Sequence, residues 1–484
     1  MSASRLPLLG RALDLEALWA KFPPPDIWAD TVYKWSPDRT RAIQNERFLS
    51  VMRAAWDNPF YRRRWREAGL EPGDISSLDD IGKIPMYTSD DVSADQAAHP
   101  PFGELLNLKR DALASGNYKL MNSGGTTGKP RAMIHDPEEW ECMVIGTARS
   151  GYASGARPGD VMQIPFTCSL ATLGWALHDA CRDYLGVMPL TTGGGNVTPS
   201  RRQIEIAFDY GTNIWHSFPE YLVHLAKLAR EEFKRDLREL GCKAVNAFLG
   251  PDLDGSLRRE LQDLYGCPVY DRYGVHEFGV GAFECAHQDG LHWMEDLSYI
   301  EIVDVETGRP VAPGEAGMMV VTALFRHRVP VIRYNLRDLG RVKYTSRCDC
   351  GSATTRIDHF LGRADTMVKI RGVNVYPMAC QSAIKSDPRT TDGWICIVER
   401  IDQSGVPRDE LTVHVEVRRD AKTRDGLKER LELRLREDLG VTVPVALAEE
   451  GALATLANLN AEGKPRRLID RRPGYAKNLG KSSP

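Results

Sequence analysis

Apolar residues in the first part of the chain recur at the spacing of an amphipathic helix. Leu13, Leu15 and Leu18 fall on one face of a first predicted helix, and a second amphipathic run extends from Pro37 through Trp65. Arginine and aromatic residues are frequent in this second run. The pattern therefore predicts a helical N-terminal region over residues 1–75.

Between residues 131 and 270, short apolar runs alternate with longer amphipathic runs. The short runs predict strands at residues 131–135, 161–165, 187–190, 213–215, 244–249 and 268–270. The longer runs predict helices over residues 173–184, 199–209, 221–240 and 256–265, and one that begins at Asp136 and Pro137. Alternation of this kind is typical of an α/β fold with a mostly parallel sheet, in which ligands bind beyond the carboxyl ends of the strands.

A different pattern begins near residue 366. Residues 411–417 alternate between apolar and polar side chains as a half-buried strand does, and residues 426–439 predict a charged amphipathic helix that Gly440 ends. We therefore expect a large N-terminal α/β domain over residues 1–362 with mostly parallel sheets. A small C-terminal α+β domain over residues 367–484 should follow a linker at residues 363–366.

Composition narrows the class of protein. The 484 residues are 42% hydrophobic, and their formal net charge of −3 comes from interspersed acids and bases, which gives no attraction to nucleic acid. No run of eighteen apolar residues and no signal-peptide pattern is found, so no membrane partner and a cytoplasmic location are expected. The ten cysteines are scattered, which fits reduced thiols. A homodimer is one assembly that the sequence allows.

Residues 122–130 have the composition of a phosphate-binding loop. Glycine lets the backbone approach an anion closely, and hydroxyl groups and one lysine add donors and positive charge. The residues concerned are Ser123, Gly124, Gly125, Thr126, Thr127, Gly128 and Lys129. The spacing matches neither a Walker A motif, which requires four residues before Gly-Lys, nor a dinucleotide fingerprint. A polar surface turn is the alternative interpretation for this stretch taken alone.

Three later loops follow predicted strands and carry polar residues. They span residues 217–220, 250–252 and 271–277, and the last of them ends in Glu277, a candidate magnesium ligand. Further motifs follow at residues 332–339, 361–377 and 462–467. Together with the phosphate loop, this ordered set resembles the adenylate-forming superfamily of acyl-CoA synthetases, and within it the phenylacetate–CoA ligase-like branch. The resemblance extends from about residue 80 to residue 470.

The resemblance implies an ATP-dependent, AMP-forming acid–CoA ligase. Such an enzyme joins a carboxylic acid to AMP with release of pyrophosphate, and then forms a thioester with CoA. Two alternatives stay open: an adenylating enzyme that passes the acyl group to a carrier-protein thiol or an amine, and a catalytically silent ligase-like protein that binds nucleotide or acid. The expected partners are a small carboxylic acid, ATP and CoA, with Mg²⁺ as cofactor.

The resemblance also implies roles for individual residues. The loop at 123–130 would hold the β- and γ-phosphates, Glu277 would bind magnesium, and Asp338 would bind the ribose, with Arg356 as a second nucleotide contact. Lys464 would neutralise the attacking carboxylate and the α-phosphate, and Asp365 would be the hinge between two poses of the small domain. The residues expected to bracket the adenine are Gly250, Pro251, Asp271, Arg272, Tyr273 and Gly274.

The chain departs from the family pattern at three places. Gly124 replaces a serine in the phosphate loop, and His276 occupies the position of a hydroxyl residue before Glu277. The adenine loop reads Gly-Pro-Asp from Gly250, where the family usually has Gly-Ala-Glu. The imidazole of His276 would therefore have to make any phosphate contact that the hydroxyl makes.

Two further sets of side chains are candidates for sites. Aromatic residues fall in segments that flank the acyl site of this family, and they favour an aromatic or bulky apolar acid; the predicted pocket residues are Phe166, Trp215, Ser217 and Phe218. Three thiols and one imidazole can complete a tetrahedral zinc site. The predicted structural zinc ligands are Cys285, His287, Cys348 and Cys350, with His292 as the competing fourth ligand.

Overall fold

The computed structural model describes residues 13–108, 117–123, 130–250, 252, 255–344, 346–364, 368–371, 373–403, 406–457 and 466–472. It divides into two compact units. The large unit comprises Met1–Gly124, Pro130–Leu249 and Leu257–Phe360, and the small unit comprises Gly125–Lys129, Gly250–Ser256 and Leu361–Pro484. The two units are described separately.

The N-terminal part of the large unit is helical, as predicted. Its helices are α1 (Leu15–Lys21), α2 (Pro25–Asp30), α3 (Pro37–Asp57), α4 (Pro59–Glu67), α5 (Ser89–Ala98) and α6 (Gly103–Leu106). The predicted helix over residues 37–65 is interrupted at Asn58. This residue ends α3, and its side chain accepts a hydrogen bond from the Phe60 N–H at 3.0 Å to cap α4. Pro59 then occupies the first turn of α4, where its missing N–H costs nothing.

Hydrogen bonds join these helices to residues much later in the chain. The Gln44 side-chain amide donates to the Glu295 carbonyl at 3.0 Å, and the Tyr61 hydroxyl donates to the Pro330 carbonyl at 2.8 Å. The buried guanidinium of Arg149 donates to the Pro23 carbonyl at 2.9 Å and to the Asp296 carboxylate at 2.8 Å. The helical region therefore shares one hydrophobic core with the strands that follow it.

The central α/β part confirms the predicted alternation. Its strands are β1 (Lys119–Asn122), β2 (Ala132–His135), β3 (Val161–Gln163), β4 (Met188–Leu190), β5 (Ile214–Ser217), β6 (Ala244–Ala247) and β7 (Val269–Val275). Its helices are α7 (Pro137–Ala153), α8 (Thr172–Ala180), α9 (Ser200–Tyr210), α10 (Pro219–Glu232) and α11 (Ser256–Tyr265). The predicted helix over residues 221–240 ends early, because Asp236 caps a separate short turn at Leu237–Leu240.

The parallel strands β4, β3, β5, β6 and β7 lie side by side in that order. The same sheet continues from β7 with antiparallel strands in the order β8, β9, β13, β12, β11 and β10. Those strands are β8 (Gly279–Phe283), β9 (Leu291–Trp293), β10 (Ser298–Val303), β11 (Ala316–Ala323), β12 (Tyr334–Tyr344) and β13 (Arg356–Ile357). Strands β1 and β2 form a separate antiparallel pair. The predicted α/β class is confirmed.

The small unit is α+β, as predicted. Its strands are β14 (Gly362–Arg363), β15 (Val368–Ile370), β16 (Val373–Val375), β17 (Thr390–Gln403), β18 (Val406–Val417), β19 (Val445–Glu449) and β20 (Leu468–Asp470), and its helices are α12 (Cys380–Lys385) and α13 (Leu427–Leu439). Strands β19, β18, β17 and β20 form one sheet in that order. Helix α13 buries Leu431 and Leu435 and ends at Gly440 in the left-handed region (φ +69°).

Across the described ranges, no helix is both long enough and apolar enough to cross a membrane.

Candidate active site

The predicted phosphate loop lies between β1 and β2, and the structure describes both of its ends. The Ser123 N–H donates to the Arg131 carbonyl at 3.0 Å, and the Ser123 hydroxyl accepts from the Arg131 N–H at 3.1 Å. The pairing of β1 with β2 thus extends one residue into the loop on each side. The remaining loop residues lie outside the described residues, namely Gly124, Gly125, Thr126, Thr127, Gly128 and Lys129. Pro251, Asp365 and Lys464 also lie outside them.

Glu277 lies in the turn between β7 and β8 and is held from two sides. The Tyr334 hydroxyl donates to Glu277 Oε1 at 2.8 Å, and an Arg131 nitrogen lies 3.9 Å from the same oxygen. The buried Arg326 guanidinium donates to the Glu277 carbonyl at 2.5 Å. Because the contacts described for the carboxylate all involve Oε1, the second oxygen can act as a metal ligand. Arg131, Arg326 and Tyr334 were not among the predicted site residues.

His276 is fixed next to Glu277. Its Nδ1 lies 2.6 Å from the Thr172 hydroxyl at the start of α8. Burial lowers the pKa of His276, so the imidazole is neutral near pH 7. A neutral imidazole can donate one hydrogen bond and accept one, which a serine or threonine hydroxyl can also do. His276 can therefore make the same kinds of hydrogen bond as the serine or threonine that the family has at this position, although its side chain is larger.

Two predicted nucleotide-binding residues meet directly. The Tyr273 hydroxyl on β7 donates to the Asp338 carboxylate on β12 at 2.7 Å, and both side chains are buried. The Tyr273 ring also stacks on Phe360 with a centroid separation of 6.4 Å. The Tyr273 hydroxyl thereby helps to hold the Asp338 carboxylate in one orientation.

Asp271 fixes the segment that leads to the predicted adenine loop. Its carboxylate accepts from the Leu249 N–H at 2.9 Å, from the Arg272 N–H at 2.8 Å and from His359 Nδ1 at 2.8 Å. Burial alone would lower the pKa of His359. The hydrogen bond to Asp271 and the negative charge nearby have the larger combined effect, so the pKa of His359 is raised. Gly250, which follows Leu249, has φ +68°, a conformation that glycine adopts without strain.

Gly274 and Arg272 occupy β7 for different reasons. A side chain at Gly274 would place its first carbon 2.7 Å from the Gly279 carbonyl oxygen, so only glycine fits between β7 and β8. The Arg272 side chain lies on the sheet face opposite to Asp271 and donates to Ser150 and Ser154 on the α7 side. The guanidinium is therefore directed toward α7, and the predicted role of Arg272 at the adenine stays a prediction.

Arg356 lies away from the other predicted nucleotide contacts. Its guanidinium donates to the Asp289 carbonyl and carboxylate, both at 3.1 Å, and stacks on the Tyr344 ring at 4.6 Å. On β13, Arg356 lies opposite Tyr344 of β12. Tyr344 is six residues from Asp338 on the same strand, so the two positions are about 20 Å apart along β12. The structure thus does not bring Arg356 and Asp338 together.

The predicted acyl-pocket residues divide between the two faces of the sheet. Phe166 lies against Phe218 with a centroid separation of 5.0 Å, and Phe218 is 40% exposed. Trp215 is completely buried on the opposite face against Tyr265 of α11, and the Ser217 hydroxyl donates to the Pro165 carbonyl on that side. Side chains on a strand alternate between faces, so Trp215 and Ser217 belong to the core.

The sequence reasoning missed two residues of this aromatic cluster. His216 and Phe248 complete it, because the His216 ring lies 5.7 Å from Phe166 and 5.9 Å from Phe248. We call Phe166, His216, Phe218 and Phe248 the acyl-face cluster. Strand parity would have found His216, since a buried Trp215 on one face places its neighbour on the other.

The cysteine-rich segments also converge. The ligand atoms of Cys285, His292, Cys348 and Cys350 all lie within 4.8 Å of one another. The Cys285 and Cys348 sulfurs are 3.9 Å apart, and the Cys350 sulfur lies 3.5 Å from His292 Nε2. His287 is exposed and lies outside this group, so the prediction of His287 as the fourth member is wrong, and the competing His292 takes that place.

Comparison with known proteins identifies the family. Residues 79–323, which are more than half of the chain, match the AMP-binding enzyme family, and residues 372–472 match the AMP-binding enzyme C-terminal domain. The chain belongs to the AMP-binding enzyme family. The predicted resemblance is therefore confirmed.

Curated members of the AMP-binding enzyme family match almost the whole chain. The phenylacetate-coenzyme A ligase of Thermus thermophilus is 30% identical, with 90% of this chain and 97% of the relative covered. The enzyme of the same name from Aromatoleum evansii is 31% identical, with 92% and 97% covered. The one from Escherichia coli is 30% identical, with 92% and 97% covered.

Solved structures agree with these matches. A 2-hydroxyisobutyryl-CoA ligase in the postadenylation state in complex with 2-HIB-AMP is 27% identical, covers 91% of each chain and has a TM-score of 0.79. The same ligase with 2-HIB-AMP and CoA in the thioesterification state is 28% identical, covers 92% of each chain and has a TM-score of 0.65.

Proposed function

We propose that this chain is an ATP-dependent carboxylic acid–CoA ligase that acts through an acyl-adenylate. The observation that carries the proposal is a pair of hydrogen bonds between two predicted nucleotide motifs. Tyr273 of β7 binds Asp338 of β12, and Tyr334 of β12 binds Glu277, four residues after Tyr273. Family membership and the names of the relatives add support.

The first half-reaction brings two anions together. A carboxylate oxygen attacks the α-phosphorus of ATP, and pyrophosphate leaves with the electrons of the broken P–O bond. The site must supply cations and donors where charge develops in the transition state. We assign the phosphate loop at 123–129 to the β- and γ-phosphates, Asp338 to the ribose, and Lys464 to the carboxylate and α-phosphate.

Glu277 is the proposed ligand of magnesium. Its side chain is buried, and the Tyr334 hydroxyl donates to one carboxylate oxygen. This hydrogen bond orients the carboxylate and leaves its other oxygen to bind the ion. A carboxylate of this kind together with substrate phosphates is the usual environment of Mg²⁺. The bound ion would offset phosphate charge during transfer.

The second half-reaction transfers the acyl group from AMP to the CoA thiol. The sulfur attacks the acyl carbon, and AMP leaves as the carbon–oxygen bond to phosphate breaks. We place the hinge between the poses for the two half-reactions at Asp365. CoA is preferred over a carrier protein or an amine because the relatives matched over most of the chain are named as CoA ligases.

An aromatic or bulky apolar acid is the proposed substrate. The acyl-face cluster offers three phenylalanine rings at the carboxyl ends of β3, β5 and β6. Edge-to-face contacts of this type suit an aromatic substituent on the acid. The curated relatives are named for phenylacetate.

We also propose one structural zinc ion, held by Cys285, His292, Cys348 and Cys350. Zinc–sulfur bonds near 2.3 Å and zinc–nitrogen bonds near 2.0 Å in a tetrahedron require a sulfur–sulfur distance of about 3.8 Å and a sulfur–nitrogen distance of about 3.5 Å. The observed distances are 3.9 Å and 3.5 Å. His292 Nδ1 lies 2.9 Å from the Thr354 hydroxyl, which fixes the ring.

ATP–pyrophosphate exchange over a panel of aryl and aliphatic acids tests the proposed function. We expect exchange that depends on an aryl acid, followed by thioester formation when CoA is added. Exchange without thioester on CoA, but with transfer to a carrier-protein thiol or an amine, would favour the alternative acceptor. Lack of exchange with every acid would refute adenylation.

A further inference from the structure

Three polar side chains form a row on the sheet face that packs against α7. His216 on β5 lies directly opposite Asn246 on β6, and Asn246 lies opposite Tyr270 on β7. Arg272 is two residues beyond Tyr270 and therefore faces the same side. All three side chains of the row are buried, with exposures of 0%, 0% and 3%. We call His216, Asn246 and Arg272 the polar row.

The polar row is incompletely hydrogen-bonded. Within the described residues, both ring nitrogens of His216, the Asn246 amide nitrogen, and Nε and Nη1 of Arg272 have no partner. The buried apolar residues Met162, Ile214 and Ala244 lie on the same sheet face as the row. Buried polar atoms are almost always paired, so five unpaired nitrogens in one apolar layer indicate a missing polar group.

The known contacts of Arg272 account for only part of its side chain. Nη2 donates to the Ser150 carbonyl at 3.0 Å, the Ser154 hydroxyl at 3.0 Å and Asn246 Oδ1 at 2.7 Å. These contacts join the sheet to the carboxyl end of α7, where a cation is favourable. They leave Nε and Nη1 without an acceptor in the part of the chain that the structure describes. Asp271, the neighbouring acid, is on the opposite face and is already engaged.

The polar row lies directly beneath the acyl-face cluster. His216 belongs to both groups, and its ring contacts Phe166 and Phe248. The partly exposed Phe218 marks the solvent side of the cluster. In a parallel sheet, ligands approach from the carboxyl ends of the strands, which is the end where these rings lie. An acid whose ring lies among the phenylalanines would direct its far end toward the polar row.

The donor and acceptor pattern of the row selects among polar groups. Burial lowers the pKa of His216, so the ring is neutral, with one N–H donor and one acceptor nitrogen. Arg272 and Asn246 offer N–H donors. A hydroxyl group can accept from these donors and donate to the His216 acceptor nitrogen, whereas a carboxylate can only accept and a methyl group can do neither.

We infer that the acyl site takes an aryl acid with a hydroxyl group at the end opposite its carboxylate, and that His216, Asn246 and Arg272 bind this hydroxyl. The inference rests on the proposed function and refines its substrate class. The three residues are specificity determinants: they contact the far end of the acid and take no part in the transfer of the acyl group.

The test compares 4-hydroxyphenylacetate with phenylacetate, 4-methylphenylacetate and 4-carboxyphenylacetate. Relative kcat/KM is measured by ATP–pyrophosphate exchange, and binding is measured independently by isothermal titration calorimetry. We expect the hydroxylated acid to be preferred over each of the others by about 10- to 100-fold, as for a site whose buried polar groups need a partner. His216→Leu should reduce this preference to less than about 3-fold.

Further variants separate specificity from folding. Asn246→Leu should reduce the preference in the same way, so the test does not depend on Arg272, whose replacement also removes contacts with α7. His224→Leu is the matched control, because His224 is exposed on α10 and stacks on Tyr221. It should leave the preference unchanged.

Each outcome is decisive. Equal use of phenylacetate and 4-hydroxyphenylacetate, or a preference for 4-carboxyphenylacetate, would overturn the inference and leave the proposed function standing. A hydroxyl preference in calorimetry that His216→Leu removes, without exchange, would support the site and refute the proposed function. A preference that survives both His216→Leu and Asn246→Leu would assign the hydroxyl to other residues and overturn the inference.

Discussion

At the scale of single residues, hydroxyl and imidazole groups fix the charged side chains of the candidate site. Tyr273 orients Asp338, Tyr334 orients Glu277, and His359 binds Asp271. Each of these contacts holds a carboxylate in a defined orientation. Replacing one partner should therefore change binding or stability in a way that depends on the particular pair.

The Tyr273–Asp338 pair predicts a selective effect on ATP. Asp338→Ala should lower kcat/KM for ATP by about 10- to 100-fold, because a charge-assisted contact to the ribose is lost. Arg356→Gln should change KM for ATP by less than about 2-fold, since Arg356 binds Asp289 instead. ATP–pyrophosphate exchange at varied ATP concentration and saturating acid measures these constants for both variants. An equal decrease of kcat/KM for ATP in the two variants would show that Arg356 contributes to nucleotide binding.

The His359–Asp271 pair predicts a pH dependence of stability. The folded-state pKa of His359 lies above its ordinary value of 6.5, so the pair stabilises the fold fully below about pH 6.5, and this contribution is lost as pH rises through the folded-state pKa. Urea unfolding at pH 6 and pH 9 should show that His359→Gln is less stable than the parent at pH 6. The difference should shrink at pH 9; a constant difference would mean that the charge of His359 is irrelevant.

Tyr273, Glu277 and Asp338 were named as site residues because their types and order in the chain resemble the family. The structure joins their two motifs by hydrogen bonds, and their roles toward nucleotide and magnesium stay predictions. Trp215 was misplaced because its position in a segment says nothing about which sheet face it occupies. His216 and Phe248 were missed for the same reason, since both follow from strand parity and pairing across the sheet.

At the scale of elements, local signals determined most helix ends. Asp136 caps α7 and Pro137 begins it, and Gly440 ends α13, all as predicted. The break at Asn58 was missed because the apolar periodicity continues across it and hides the cap. The order of the antiparallel strands could not be predicted, because β13 lies between β12 and β9 through pairing between distant segments.

Two segments that are distant in the chain form the proposed zinc site: Cys285 with His292 of β9, and Cys348 with Cys350 between β12 and β13. Cys348→Ser should remove about one zinc per chain and lower the melting temperature by at least about 5 °C, because metal binding contributes folding free energy. His292→Ala should have the same effect, and His287→Ala should have neither. Metal analysis and thermal unfolding of freshly purified, chelator-free protein measure these effects. Zinc retained by His292→Ala, or its absence from the parent protein, would contradict the assignment.

At the scale of the whole molecule, the proposed reaction requires two catalytic states. Lys464→Ala should slow adenylate formation by about 10²- to 10⁴-fold, because a cation is lost where two anions meet. Conversion of a supplied acyl-adenylate to thioester should stay close to the normal rate. Single-turnover measurements of the two half-reactions in the same variant provide the comparison. Equal losses in both, or no loss in adenylation, would remove Lys464 from the catalytic residues.

The hydrogen bonds between the N-terminal helices and distant residues have a consequence for synthesis of the chain. Gln44 and Tyr61 bind carbonyl groups that are 251 and 269 residues further along. At about 5–20 residues per second, the ribosome needs about 12–50 s to add those residues. During this interval the apolar faces of α3 and α4 have no later strands to pack against. Newly made N-terminal segments should therefore be bound by chaperones that recognise exposed apolar helices, and slower translation of residues 68–330 should lengthen that exposure.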